Sequence, residues 1–200
     1  MFEAAPTVTG KLSGIDPAAA GNPSVIDPAA AGQQPSDRAT QAFDVAALAF
    51  CAALSRHFLA YEGPGVETVR ALGFWLRPAG LQALLARYPQ ARQGIGRIFH
   101  VPPSNVPTLL VYSWLTSVLA GNDNLVRLSA ARSSPLEDTL LGLIEAVLNA
   151  PEHAGLRARN RFIRYGHEDA ITRACVAQAD AVMVWGSDQT VAQLRELTLA

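Results

Sequence analysis

Apolar residues fall at two distinct spacings along this chain. Phe43, Ala46, Ala47, Phe50, Leu54 and Phe58 recur every three or four positions, which sets them on one stripe of an amphipathic helix. After a Gly-Pro-Gly break, Val66, Val69 and Leu72 continue the pattern to the aromatic pair Phe74 and Trp75. Pro78 opens a third helix that carries Leu81, Leu84 and Leu85, since proline suits the first helical position. Beyond Gly94 the pattern alternates. Short β-type runs at 97–101, 124–129, 161–165 and 181–185 are separated by segments of helical period. The first such segment, 107–120, carries Leu109, Leu110, Ser113, Trp114 and Ser117 and stops at Gly121 and Asn122. The next starts at Ser134-Pro135 and carries Leu140, Leu141, Ile144, Val147 and Leu148. Ile171, Ala174, Cys175 and Ala179 share a face of the third, and 188–197 form the fourth. Strands alternating with helices predict an α/β fold, a Rossmann-like parallel sheet with helices on both faces, preceded by N-terminal helices.

Residues 1–38 do not share this patterning. The heptapeptide Ile-Asp-Pro-Ala-Ala-Ala-Gly occurs at 15–21 and again at 26–32, too short a unit for a solenoid. Its Pro, Gly and Ala leave little to bury, so the segment reads as a disordered tail. The division that follows is a tail over 1–38, a helical region over 39–94 and a dinucleotide-binding α/β domain over 95–200.

Composition narrows the function by exclusion. Half of the 200 residues are hydrophobic and the net charge is −1. No whole-chain basic field points to nucleic acid or to an anionic membrane. The longest apolar stretch, 106–120, is interrupted by Thr108, Tyr112, Ser113, Thr116 and Ser117 and falls short of the roughly 18 residues a membrane span needs. The N-terminus has no basic and apolar signal-peptide pattern. Cys51 and Cys175 are too few for a disulfide framework and lack metal-ligand spacing. A cytoplasmic protein without a metal site is the expectation.

The chemistry concentrates after the first strand. His100 is followed by two prolines, Ser104, Asn105, Val106 and Pro107. In open α/β sheets ligands bind beyond the carboxyl ends of the strands, which is where Asn105 stands. Its amide can donate to an oxyanion on a carbonyl substrate, or it can cap the helix that begins near Pro107. Spacing alone favours the cap.

Three blocks in order resemble the aldehyde dehydrogenase superfamily, and most closely the fatty-acyl-CoA reductases of bacterial luminescence. They are the turn at 103–107, the run 119–129 with Ala120, Gly121, Asn122, Arg127 and Ser129, and the strand 180–188 ending in Gly186 and Ser187. His100 before the turn and Trp185 before Gly186 are similar to the acyl-CoA reductase branch. The resemblance implies that Asn105 is the oxyanion donor and that Arg127 stands where a lysine binds the adenosine ribose. Ser129 follows Arg127 as in the family, and Gly186 with Ser187 forms the turn that receives the cofactor pyrophosphate. An acidic residue often found three positions after the ribose-binding lysine is here Ala130. Arg127 and Arg132 can pair with a 2′-phosphate, so the cofactor is expected to be NADPH, with NADH as the alternative.

The substrate implied is an acyl-CoA or an acyl-carrier thioester, reduced to an aldehyde. The nucleophilic Cys of that chemistry lies beyond the Gly-Ser block in the family, and neither Cys51 nor Cys175 matches it. The 200 residues are therefore expected to be catalytically inactive alone, the cofactor-binding part of an enzyme whose catalytic domain lies elsewhere. Oligomerisation is expected only in the full-length enzyme. Two other readings stay open: part of an NAD-dependent aldehyde-oxidising dehydrogenase, and a non-catalytic α/β module.

Overall fold

The computed structural model describes residues 39–130 and 134–199. The tail expected over 1–38, and Arg132, lie outside the described residues. Helices α1 (Val45–Ala60), α2 (Val66–Trp75) and α3 (Pro78–Leu85) come first. They are followed by β1 (Arg97–Val101), α4 (Pro107–Leu119), β2 (Asp123–Ser129), α5 (Pro135–Leu148), α6 (Ala154–Arg159) and β3 (Asn160–Tyr165). The chain then runs through α7 (Asp169–Val176), β4 (Ala181–Val184) and α8 (Asp188–Leu199). The four strands form one parallel sheet in the order β3-β2-β1-β4. The α/β fold read from the hydrophobic spacing is the fold observed.

Helices cover both faces of the sheet. On one, Val126, Leu128 and Phe162 join α1 to α6 in the larger core, which encloses Phe50, Leu54, Phe58, Trp114 and Leu115. Trp114 meets Phe50 and Phe162 edge-on, at centroid distances of 5.8 and 5.2 Å, the geometry that the ring quadrupoles favour. On the other face, Phe99, Val101, Leu125, Ile163 and Tyr165 pack under Cys175 of α7 and Leu194 of α8. The alternation of side chains along a strand makes the division unavoidable. In β2, Val126 and Leu128 point to the first face, while Leu125 and Arg127 point to the second.

Two helix starts follow from their sequences. Asp44 caps α1 by accepting from the Ala47 N–H at 2.7 Å. Ser134 caps α5 by accepting from the Glu137 N–H at 3.1 Å, with Pro135 at the first helical position. Between α5 and β3 the chain forms a 3-10 turn, Pro151–His153, and the short α6, neither of which the apolar spacing reveals.

The turn from α4 into β2 needs its glycine. Gly121 has φ +85°, and a Cβ there would run into the Thr40 carbonyl. The Gly121 carbonyl accepts from Thr40 N at 2.9 Å and from Arg159 Nη2 at 2.9 Å. Arg159 also pairs with Asp123 at 2.7 Å. Asn122 is buried, accepting from Ile95 N at 2.7 Å and donating to Ser117 Oγ at 3.1 Å. The Ala-Gly-Asn run therefore fastens the amino ends of β1 and β2, the end of the sheet opposite Asn105 and Ser187.

Candidate dinucleotide site

The carboxyl ends of β1, β2 and β4 lead into the segments that carry Asn105, Ser129 and Gly186-Ser187. Asn105 lies on an exposed turn after β1. Helix α4 begins with Val106 as its N-cap residue and has no side-chain cap hydrogen bond. The capping role that spacing favoured is therefore not the one Asn105 plays. Its amide is left facing solvent at the start of a helix.

Arg127 is half-buried on the α7–α8 face. Its Nη2 donates to the Gly166 carbonyl, and its guanidinium lies 4.8 Å from the centre of the Tyr165 ring. The Nε of Arg127 is buried without a hydrogen-bond partner. Desolvating a donor without pairing it costs on the order of 1–3 kcal/mol, so this N–H is the polar atom of the site most in need of an acceptor. Ser129 lies two residues on, half-buried on the same face, and its carbonyl accepts from Arg164 Nη1 at 2.9 Å. Ala130, exposed, places no carboxylate beside them.

Gly186 and Ser187 are exposed at the entry to α8. Ser187 Oγ accepts from Thr190 N at 3.3 Å and lies 3.2 Å from Thr190 Oγ1, so Ser187 is the helix cap. A Cβ on Gly186 would stand 3.1 Å from Thr190 Cβ, tight enough to push the helix entry outward. The first-turn N–H groups of α8 and the positive end of its dipole lie at this exposed entry, which suits an anion. The structure thus brings Arg127, Ser129 and the α8 entry to one face and one end of the sheet. The Asn105 turn stands at the same end, after the neighbouring strand. Among the described residues, no helix is long and apolar enough to cross a membrane.

The model of the family described as acyl-CoA reductase (LuxC) matches residues 58–200. This chain belongs to that family. No curated protein and no solved structure matched it. The resemblance carried by the Asn105, Arg127 and Gly186-Ser187 blocks thus holds at the level of the family, and an acyl-CoA reductase domain occupies most of the chain.

The two thiols of the chain, Cys51 before the matched residues and Cys175 within them, are poor nucleophiles. Cys51 is fully buried in α1, and burial pushes its pKa up to about 12. Cys175 is fully buried between α7 and the sheet, and burial raises it to about 11. Thioester chemistry runs through the thiolate, which neither supplies at neutral pH.

Spacing also missed a set of polar residues, because they sit on different elements. His100, fully buried, lies 2.8 Å by Nδ1 from Ser113 Oγ and 2.9 Å by Nε2 from Asn124 Oδ1. Asn124 donates to Asn160 Oδ1 at 2.9 Å, and so does Trp114 Nε1 at 2.7 Å. Trp185 Nε1 donates to Ser113 Oγ at 3.0 Å. Burial lowers the pKa of His100 to about 4, opposed only by its bond to Asn124, so the imidazole is neutral. Polar residues inside strand and helix runs that otherwise read as apolar were the signal available beforehand.

Proposed function

We propose that this chain supplies the dinucleotide-binding portion of an NADPH-dependent reductase that converts an acyl-CoA or acyl-carrier thioester to an aldehyde. The observation that carries the reading is the buried, unpaired Nε of Arg127 at the carboxyl end of β2, in a chain that belongs to an acyl-CoA reductase family. A permanent cation with an unsatisfied donor is a good partner for ribose oxygens or a 2′-phosphate. Ala130, where an acid would repel that phosphate, supports NADPH over NADH. The α8 entry, with Gly186 allowing close approach and Ser187 offering a hydroxyl, would hold the pyrophosphate. Bound NADPH supplies the hydride. Asn105, free of any capping duty, would donate to the oxygen that gains charge as the thioester carbonyl is attacked. With Cys51 and Cys175 buried, the 200 residues alone offer no accessible thiol and are proposed to be inactive by themselves.

The test is a titration of the isotope-labelled chain with NADPH and with NADH, following backbone amide signals. NADPH should move Gly186 and Ser187, and Arg127→Met should raise its Kd about tenfold, which corresponds to 1.4 kcal/mol. Sustained loss of NADPH absorbance on adding acyl-CoA to the same chain would overturn the proposed inactivity. An absence of shifts at Gly186 and Ser187 would overturn the cofactor site.

A further inference from the structure

The buried polar set beneath α4 has a direction that can be worked out from its partners. Asn124 Nδ2 reaches the Asn122 carbonyl at 3.1 Å. A carbonyl only accepts, so the amide turns its oxygen toward His100. His100 Nε2 must then carry the proton it donates to Asn124 Oδ1. A neutral imidazole has one N–H, which leaves Nδ1 bare to accept from the Ser113 hydroxyl. Ser113 has a single hydrogen, so its 3.0 Å approach to Met183 Sδ carries none. What remains on Ser113 Oγ is a lone pair, and Trp185 Nε1–H fills it. The chain of donors thus runs from Trp185 through Ser113 and His100 to Asn124.

Trp185 stands at a junction. Its backbone N–H donates to the Val101 carbonyl at 3.0 Å, immediately before the prolines that lead to Asn105. Its indole is tied to α4, the helix that the Asn105 turn opens. Gly186 and Ser187 follow it directly. A tryptophan 40% exposed at a strand end has little burial to hold it in one orientation. The bond to Ser113 does that.

Resting on the dinucleotide reading above, we infer that Ser113 and His100 are positioning residues. They orient Trp185, and through it fix the Gly186-Ser187 turn against the Asn105 turn. The experiment is a double-mutant cycle in the 200-residue chain: Ser113→Ala, Trp185→Phe and the pair together. NADPH Kd is read from the Gly186 and Ser187 amide shifts, and the melting temperature alongside it. Trp185→Phe keeps an aromatic ring but loses the pyrrole half of the indole with its N–H, at a position 40% exposed and outside the core, so it should leave the melting temperature within about 2 °C, less than the shift from 1 kcal/mol in a domain of this size. Its NADPH Kd should nevertheless rise roughly five- to tenfold, consistent with the loss of one hydrogen bond that holds the turn. Ser113→Ala should weaken NADPH to the same degree, and the double variant should be no weaker than either single one. A wild-type Kd in Trp185→Phe would overturn the inference, and so would additive losses in the double variant. Should Ser113→Ala not fold, Trp185→Phe alone decides. If the unaltered chain fails to bind NADPH, the dinucleotide reading itself falls and takes this inference with it; binding that ignores Trp185→Phe removes the inference alone.

Discussion

Beneath α4 the sheet's polar groups are enclosed and matched, whereas on the α7–α8 face they are partly matched and partly open. His100, Asn124 and Asn160 find partners in one another, in Ser113 and in Trp114, under a core drawn from six helices. Across the sheet, Arg127 keeps an unpaired Nε, Val182 and Val184 are only half-buried, and α8 begins in the open at Ser187. One face thus carries most of the packing, and the other keeps the unpaired donor on which the proposed cofactor site rests. Partial satisfaction is costly in a core and useful in a site.

The two faces should differ in what they contribute to stability. Trp114→Ala removes two ring contacts and leaves Asn160 short of a donor, so it should cost about 3–5 kcal/mol in urea unfolding. Leu194→Ala, on the lighter face, should cost about 2 kcal/mol, the low end for a buried leucine. Equal losses would erase the distinction.

Acid should attack the matched face. His100 has its folded pKa lowered to about 4 from the ordinary 6.5, so between these values the unfolded chain binds the proton and the folded one does not. Stability is therefore full above pH 6.5 and falls as pH drops toward 4, by at most about 3 kcal/mol at 1.36 kcal/mol per unit. His100→Gln should flatten that part of a pH series of unfolding curves, whatever its own cost at neutral pH.

Substitutions on the open face should have smaller effects. Arg127→Met gives up the Gly166 bond but relieves the buried unpaired Nε, so stability should stay within about 1 kcal/mol while NADPH affinity drops. A large loss of stability would make Arg127 a structural cation. Ser187→Ala removes the α8 cap and should cost roughly 0.5–1 kcal/mol, visible as faster amide exchange in the first turn of α8 alone.

Much of the fold was legible because it rests on spacing. The four strands came from short β-type runs and the flanking helices from an apolar period of about 3.6. Helix α6 escaped because its short span carries one buried apolar residue, Leu156, too little for a period to register. The site was legible in part. Asn105, Arg127, Ser129, Gly186 and Ser187 are marked by motif order, and the structure sets their segments at one end of the sheet. The Asn105 cap was a wrong expectation, since Val106 takes the N-cap position. What no reading of separate segments could give is the Trp185-Ser113-His100-Asn124 chain. Its members come from four elements, and only the strand order β3-β2-β1-β4 places them side by side.

That strand order also bears on the speed of folding. β1 is an interior strand, and its contact with the β4 side spans 83 residues, the separation between Arg97 N and the Asp180 carboxylate that accepts from it at 2.7 Å. The β2 pairing can form early, with only α4 between the strands. The β4 pairing must wait for the whole intervening chain to be brought round, at a loop-closure entropy that no local contact offsets. Until then β1 presents one edge of backbone donors and acceptors to any neighbouring chain. Refolding of this domain should therefore be slow in its last phase, and more dependent on protein concentration there than in its first.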